Sequence, residues 1–191
     1  MDPASTRDRL LEAAAKVFLE HGSGASMDQV RQAAGVSNGS LYHHFPTKAQ
    51  LADALYVQTL HDFHATLLAP IARGGTAEAG VKGMVRAQVS WVLKNPARAS
   101  LLHKLKRAGD VTDESEGIGA ANAQAFGALR EWVERKTAEG EMRDLPFYLW
   151  MALVFTPSMS LTARWVKAPT PTVPPKVRAA LEHAAWMAVA P

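Results

Sequence analysis

The sequence predicts an all-α protein with a small N-terminal helix-turn-helix domain, followed by a larger helical domain. Apolar residues recur at three- and four-residue spacing along most of the chain, which is the period of a helix packed on one side. No segment shows the alternation of apolar and polar residues between hairpin turns that is typical of strands. Residues 26–48 also contain the capping residues and the glycine turn expected of short successive helices.

The first element is a helix over Leu10–Phe18, with Gly22 after it. Ser26 can cap the second helix, and Gln29 three residues later completes a capping box. Gly35 stands where a left-handed residue would end that helix, because glycine adopts this conformation without a steric penalty. The spacing therefore predicts a tight turn directly after residue 35.

The third helix is expected between Ser37, which can cap it, and Pro46, which stops it. Leu41 and Phe45 lie four residues apart and can anchor this helix to the domain. The remaining positions must then face outward, and they are Asn38, Gly39, Ser40, Tyr42, His43 and His44. Small residues at the start allow close approach to DNA, and aromatic donors at the end suit phosphates and thymine methyl groups.

Thr47 is expected to cap a fourth helix, with Gln50 at the capping-box position. Lys48 then lies in the first turn, where a backbone phosphate could meet both the ammonium group and the helix terminus. The predicted DNA-binding residues are Ser26, Ser37, Asn38, Gly39, Ser40, Tyr42, His43, His44 and Lys48.

Residues 5–52 resemble the DNA-binding domain of the TetR family of bacterial transcriptional regulators. The resemblance covers about a quarter of the chain. Its matching pieces are Leu10 to Phe18 with Gly22, Ser26 to Val30, Ala33 to Ser37, Gly39 to Phe45, and Lys48 with Leu51. The alternative is an ordinary three-helix segment without a DNA role, but that does not explain three polar aromatic residues side by side at a helix end.

Composition excludes several classes of protein. The chain has 191 residues, of which 48% are hydrophobic, so it is not disordered and can bury a sizeable core. It contains no cysteine, which excludes disulfides and cysteine-ligated zinc. The polar N-terminus predicts no signal peptide, and we expect a cytoplasmic protein.

The charge distribution is only mildly favourable to nucleic acid. The net charge is +3, and residues 1–51 contain five basic and five acidic residues. No acidic residue lies between Arg31 and Lys48, however. DNA binding should therefore depend on hydrogen bonds, helix termini and dimer pairing, with a modest salt dependence.

The rest of the chain is predicted to be helical. Helices are expected over 48–69, 76–95, 97–107, from the 109–117 loop to about 140, over 146–165 and over 176–188, with a proline-rich linker at 167–175. Pro70 and the two glycines after Arg73 are expected to end the first of these helices. The predicted domains are 1–50, which binds DNA, and 51–191.

Residues 145–163 carry no charge and are long enough to suggest a membrane span. Proline and hydroxyl residues interrupt the segment, and we therefore predict no membrane span. A helix that is apolar all round needs cover on both sides, and a second subunit can supply one of them. In the family that the N-terminus resembles, the last two helices form the dimer interface. We expect a homodimer with Leu153, Trp165, Val177, Leu181, Ala184, Ala185 and Ala188 at its interface; the alternative is that both helices are intramolecular core.

The larger domain is rich in tryptophan, phenylalanine and methionine, which suit an adaptable apolar pocket. Ordinary core packing is the alternative for each such residue. Gln88 is more specific, because a buried amide among valines needs hydrogen-bond partners. The predicted pocket residues are Phe63, His64, Met84, Gln88, Trp91, Phe126 and Trp150.

No metal site, cofactor or enzymatic activity is predicted. His61 and His64 share one helical face, but no third ligand is evident. No phosphate loop, dinucleotide fingerprint or nucleophile elbow is present. The resemblance implies a dimeric DNA-binding transcriptional regulator, usually a repressor, that a small lipophilic or aromatic effector releases from a palindromic operator. The alternative is a helical small-molecule-binding protein or enzyme that does not bind DNA.

Overall fold

The computed structural model describes residues 5–107, 109, 111–112, 115–165 and 172–191. Within these ranges the chain forms nine α-helices and no strand, which confirms the all-α prediction. The helices are α1 (Thr6–His21), α2 (Met27–Ala34), α3 (Asn38–His44), α4 (Lys48–Ala72), α5 (Ala77–Lys94), α6 (Pro96–Arg107), α7 (Glu116–Ala138), α8 (Phe147–Trp165) and α9 (Pro175–Val189). The linker expected at 167–175 falls largely on residues 166–171, which lie outside the described residues.

The contacts divide the chain into two compact units. Unit 1 comprises Met1–His61 and Ala97–Ala121, and unit 2 comprises Asp62–Pro96 and Asn122–Pro191. Helices α4 and α7 contribute residues to both units. The predicted boundary at residue 50 falls inside α4, whose first residues group with α1–α3. The division into 1–50 and 51–191 therefore stays a prediction about function.

In unit 1, α1 packs against α2 and α3. Leu10, Leu11 and Phe18 recur on one face of α1 at helical spacing and are 0–1% exposed. Val30 of α2 and Leu41 of α3 are buried to the same extent. Burying side chains of this size stabilises a core by about 1.5–3 kcal/mol each. The short helices α2 and α3 are therefore held by packing rather than by their own propensity.

In unit 2, α5 is the central helix and packs against both α8 and α9. Val81, Met84, Val85 and Val89 are all fully buried, as expected of a helix that is apolar on more than one face. Gly80 permits a close approach from α7, since a β-carbon there would lie 2.4 Å from Trp132 Cζ2. This position therefore excludes any larger side chain unless the tryptophan moves.

Helix α4 continues through Pro70 to Ala72, so the prediction that proline ends it was wrong. A proline near the end of a helix removes only its own backbone hydrogen bond, and the residues after it can remain helical. The ring is accommodated opposite Gly83, where a β-carbon would lie 2.8 Å from Pro70 Cβ. A distant glycine thus makes room for the proline, which local sequence rules do not take into account.

Two side chains satisfy the exposed N-terminus of α5. Thr76 Oγ1 accepts from Ala79 N at 3.2 Å, and Glu141 Oε2 accepts from Ala77 N at 2.6 Å. Lys136 Nζ donates to Glu141 Oε1 at 2.9 Å. This hydrogen bond, followed by the one from Ala77, lowers the pKa of Glu141 below its ordinary value of 4.5. The ionised carboxylate therefore ties the end of α7 to α5.

An ion pair links α5 to α9. Glu182 is only 7% exposed, and its two oxygens accept from Arg86 Nε at 3.0 Å and Nη2 at 2.5 Å. This bidentate geometry satisfies a carboxylate that would otherwise be buried without a partner.

The outward side of α8 carries no charge before Arg164 and combines large apolar residues with the hydroxyls of Thr156 and Ser160. Tyr148, Leu149, Leu153 and Met159 are between 36% and 77% exposed along this side. In the part of the chain that the structure describes, no helix combines the length and apolarity needed to cross a membrane.

Candidate functional site

The turn between α2 and α3 is built from local capping contacts, as the sequence predicts. Ser26 Oγ accepts from Gln29 N at 3.2 Å, and Gln29 Oε1 accepts from Ser26 N at 2.8 Å, which completes the capping box. Gly35 has φ 63° and ψ 39°, the left-handed conformation expected of it. Ser37 Oγ accepts from Ser40 N at 3.2 Å and caps α3. These contacts fix the direction in which α3 leaves the turn.

Helix α3 is anchored on one side only. Leu41 and Phe45 are 0% and 4% exposed, respectively, and hold the helix against unit 1. The other side is exposed at Asn38, Gly39, Tyr42 and His43, while Ser40 and His44 are partly buried. Tyr42 is 46% exposed, so its side chain is accessible to a partner. We call the six residues Asn38, Gly39, Ser40, Tyr42, His43 and His44 the α3 face.

The two ends of the α3 face offer different kinds of contact. A β-carbon on Gly39 would meet nothing within 4 Å, so the backbone at the start of the helix is open to a close partner. The rings of His43 and His44 pack edge to face with centroids 5.3 Å apart, which gives the end of the helix a defined shape. The face thus combines an accessible backbone with ring donors about one turn later.

Lys48 lies in the first turn of α4, as predicted, but it also has partners within the protein. Its Nζ donates to Ser23 O at 2.9 Å and lies 5.5 Å from the centre of the Phe18 ring. The helix itself is capped by Thr47, whose Oγ1 accepts from Gln50 N at 3.1 Å. Lys48 therefore also stabilises the segment after α1.

Arg7 is a residue that the sequence reasoning did not include. It is exposed in the first turn of α1, and its guanidinium carbon lies 5.6 Å from the centre of the Phe45 ring. Phe45 is the residue that directly follows α3, so this cation lies near the C-terminal end of that helix. Sequence spacing alone could not bring residues 7 and 45 together.

The residues expected at a dimer interface lie on different sides of α8 and α9. Leu153 and Ala184 are exposed. Leu181 and Ala185 are 8% and 4% exposed and belong to the core of unit 2, so most of their surface is already covered within one chain. The other three residues, Trp165, Val177 and Ala188, are partly buried against the same core.

Four of the expected pocket residues form an aromatic group in unit 2. The rings of Phe63 and Trp91 are 5.0 Å apart, and those of His64 and Phe126 are 5.7 Å apart. Trp91 Nε1 donates to Asp62 Oδ2 at 2.9 Å, which orients the indole. The structure thus brings these four side chains together.

The other three pocket residues, Met84, Gln88 and Trp150, are 0–2% exposed in the core of unit 2. Gln88 Nε2 donates to Thr162 Oγ1 at 3.2 Å. Gln88 Oε1 and Trp150 Nε1 are buried and have no hydrogen-bond partner among the described residues. The sequence did not identify Thr162 as the partner of Gln88. Its local signal is weak: it lies four residues after Ser158 in a helix segment without charge.

A cavity of about 340 Å³ lies elsewhere in unit 2, between the C-terminal half of α7 and the start of α8. It is lined by Arg130, Val133, Glu134, Thr137, Ala138, Asp144, Leu145 and Phe147, so none of the predicted pocket residues borders it. The guanidinium carbon of Arg130 lies 4.6 Å from the centre of the Phe147 ring. Because both basic and acidic side chains line this cavity, its charge favours no single class of ligand.

The pair His61 and His64 does not form part of a larger set of metal ligands. Across the described part of the chain, no three histidine, aspartate or glutamate side chains are grouped as a metal site would require.

Comparison with known proteins identifies the N-terminal helices. Residues 10–55 match the family described as bacterial regulatory proteins, tetR family. The repressor KstR2 of Mycolicibacterium smegmatis is 42% identical over 62 residues, which are 32% of this chain and 28% of that protein. The regulator UidR of Escherichia coli K12 is 43% identical over 54 residues, or 28% of each protein. The matched segments thus span less than a third of these relatives.

Solved structures match the fold over nearly the whole chain. A TetR-family transcription regulator from Marinobacter aquaeolei VT8 has a TM-score of 0.80 at 24% identity, covering 97% of this chain and 95% of that one. The fatty acid degradation regulator FadR from Bacillus halodurans has a TM-score of 0.75 at 17% identity, covering 98% and 96%, respectively. The N-terminal helices thus match the tetR family of bacterial regulatory proteins, and the chain as a whole shares its fold with solved regulators of that family.

Proposed function

We propose that the protein is a dimeric DNA-binding repressor that a small lipophilic or aromatic ligand releases from a palindromic operator. The α3 face carries this proposal. Four of its six residues are exposed, it is held by Leu41 from behind, and it has no acidic residue. A helix fits the major groove of DNA, where hydroxyl, amide and imidazole groups can reach base edges.

The capping serines support a further role at the DNA backbone. Ser26 and Ser37 each use a hydroxyl oxygen to accept a backbone N–H. A serine hydroxyl can accept one hydrogen bond and donate another. Each cap can therefore still donate to a phosphate, and such contacts would set the register of α3 in the groove.

The exposed apolar side of α8 supports dimerisation. Tyr148, Leu149, Leu153 and Met159 are on this helix, and Met187 of α9 is 51% exposed. Large exposed apolar side chains that are grouped on one helix often mark a protein interface. A second copy related by a two-fold axis would cover both patches and present two α3 faces to half-sites about 34–36 Å apart or a multiple of that distance.

Two features of unit 2 support the proposal that it binds an effector. Leaving a buried acceptor such as Gln88 Oε1 without a donor costs about 1–3 kcal/mol, which a ligand with a suitably placed donor would regain. The aromatic group around Trp91 suits the apolar part of such a ligand. Release follows if the ligand binds the conformer with low DNA affinity more tightly, and a coupling of about 1–3 kcal/mol weakens DNA binding by about 5–150-fold.

The proposal is tested by selecting bound sequences from random duplex DNA and then measuring variants on the selected duplex. We expect a palindrome, and we expect Tyr42→Ala and His43→Ala to weaken specific binding strongly. His61→Ala serves as the matched control, because His61 is an exposed histidine of α4 outside the α3 face. Wild-type affinity in Tyr42→Ala would refute the assignment of the α3 face.

Absence of enrichment has two explanations that one repeat separates. Protein purified with its effector bound would regain selectivity after refolding from denaturant. If refolded protein also selects no sequence, the chain is a helical small-molecule-binding protein or enzyme without a DNA role.

A further inference from the structure

The cations of α2 and of the first turn of α4 are engaged within the protein. Arg31 donates from Nε and Nη2 to Asp28 Oδ1 at 2.9 and 2.7 Å. Lys48 donates to a backbone carbonyl and lies against the Phe18 ring. Both can contribute to the electrostatic potential at the α3 face, but part of their hydrogen-bonding capacity is already used.

Arg7 is placed differently. Its guanidinium lies against the Phe45 ring, and the side chain is exposed. Within the described residues no carboxylate forms an ion pair with it, and the adjacent Asp8 accepts from Ser5 Oγ at 2.7 Å. A guanidinium stacked on an aromatic ring keeps the donors on its edges available, and its orientation is already restricted.

We propose that Arg7 binds a backbone phosphate of the DNA next to the bases that the α3 face reads. This inference rests on the proposed DNA binding. Phe45 directly follows α3, so a cation on its ring lies beside the helix that enters the groove. The groove is bordered by phosphates, whose paired oxygens match the fork of N–H groups on arginine.

The structure also supplies a matched control. Arg9 is exposed on the same helix and has the same side chain, but it lies two residues further on. Two residues correspond to a rotation of about 200° around a helix, which places Arg9 on the opposite side of α1 from Arg7. Arg7→Ala and Arg9→Ala therefore remove the same charge from two sides of one helix.

The test is the salt dependence of binding to the duplex selected by the wild-type protein. The slope of log Kobs against log salt changes by about 0.9 for each phosphate contact. In a dimer with two copies of the contact, Arg7→Ala should reduce the slope by about 1.8, while Arg9→Ala should leave it at the wild-type value. Arg7→Lys should retain most of the slope, because it keeps the charge, and the selected sequence should stay the same in every variant.

Three results would overturn the inference, and one of them also removes its foundation. If the wild type binds its duplex but Arg7→Ala and Arg9→Ala have equal slopes, Arg7 makes no special phosphate contact. If Arg7→Ala changes the selected sequence, the residue reads a base instead. If the wild type selects no sequence before or after refolding, the proposed function fails as well. A thermal melt of each variant followed by circular dichroism identifies any loss of slope that comes from unfolding.

Discussion

Replacing Gly80 with alanine would place a methyl group against the Trp132 indole. The new β-carbon would lie 2.4 Å from Cζ2 and 2.9 Å from Cη2 of that ring. Carbon atoms pack best at about 3.5–4.0 Å, so the ring would have to move by about 1 Å. Trp132 is 5% exposed and packs edge to face on Trp150, which leaves little space for this movement.

The size of the effect follows from two opposing contributions. Overpacking a well-packed core costs about 1–3 kcal/mol, and a contact this short should fall in the upper part of that range. Alanine has a higher helix propensity than glycine by about 0.8–1.0 kcal/mol, which offsets part of the cost. We therefore expect Gly80→Ala to lower the free energy of unfolding by about 1–2 kcal/mol.

Gly127→Ala is the matched control. Gly127 lies inside α7, and a β-carbon there would meet nothing within 4 Å. This variant should gain up to about 1 kcal/mol from helix propensity alone. Urea denaturation followed by circular dichroism would compare both variants at one protein concentration, because the proposed dimerisation would make stability depend on concentration. If Gly80→Ala were as stabilising as Gly127→Ala, the close packing of α5 against Trp132 would be refuted.

The remaining predictions concern the dimer, one pKa and one ion pair. Leu153→Asp should convert the proposed dimer to monomers and abolish specific DNA binding, whereas Gln124→Glu at an exposed position of α7 should not; an unchanged sedimentation coefficient for Leu153→Asp would contradict the proposed interface. Because folding lowers the pKa of Glu141 below 4.5, its contribution to stability is complete above that value and is lost as the pH falls through the folded-state pKa. Denaturation between pH 7 and pH 3 should therefore show a weaker pH dependence in Glu141→Gln, and equal slopes would exclude the effect. Arg86→Ala should destabilise the fold by about 1–3 kcal/mol, because it leaves the Glu182 carboxylate buried without its partner. The double variant with Glu182→Ala should regain part of this loss, and strict additivity of the two changes would show that the pair is not coupled.

The helix-turn-helix could be predicted almost completely because its signals are local. Ser26, Gly35 and Ser37 each act on backbone groups within five positions of themselves in the sequence. Leu41 and Phe45 needed only the helical period to be assigned to the inner side. These contacts form in any chain that adopts the two helices, so the residue types are sufficient.

The inner face of α9 could not be predicted in the same way. Alanine occurs at 179, 180, 184, 185 and 188, on nearly every side of this helix. The helical period therefore does not distinguish the side that packs on α5 from the side that faces solvent. Only the packing of α5, α8 and α9 together turns Leu181 and Ala185 inward.

The predicted pocket shows a third kind of difficulty. Composition alone does not show whether aromatic residues such as Trp91 and Trp150 line a cavity or fill a core. Gln88 was identified because a polar side chain among valines is unusual, and it is indeed buried. Its partner Thr162 is 74 positions away, beyond the reach of any local pattern.

The cap that Glu141 provides for α5 has a consequence during synthesis of the chain. The carboxylate is 64 residues downstream of the N–H group that it accepts from. At about 5–20 residues per second, a ribosome needs about 3–13 seconds to add this stretch. During that interval the first turn of α5 has only Thr76 as a side-chain cap. The nascent helix should therefore fray at Ala77 until the end of α7 has emerged, and only then can unit 2 close around it.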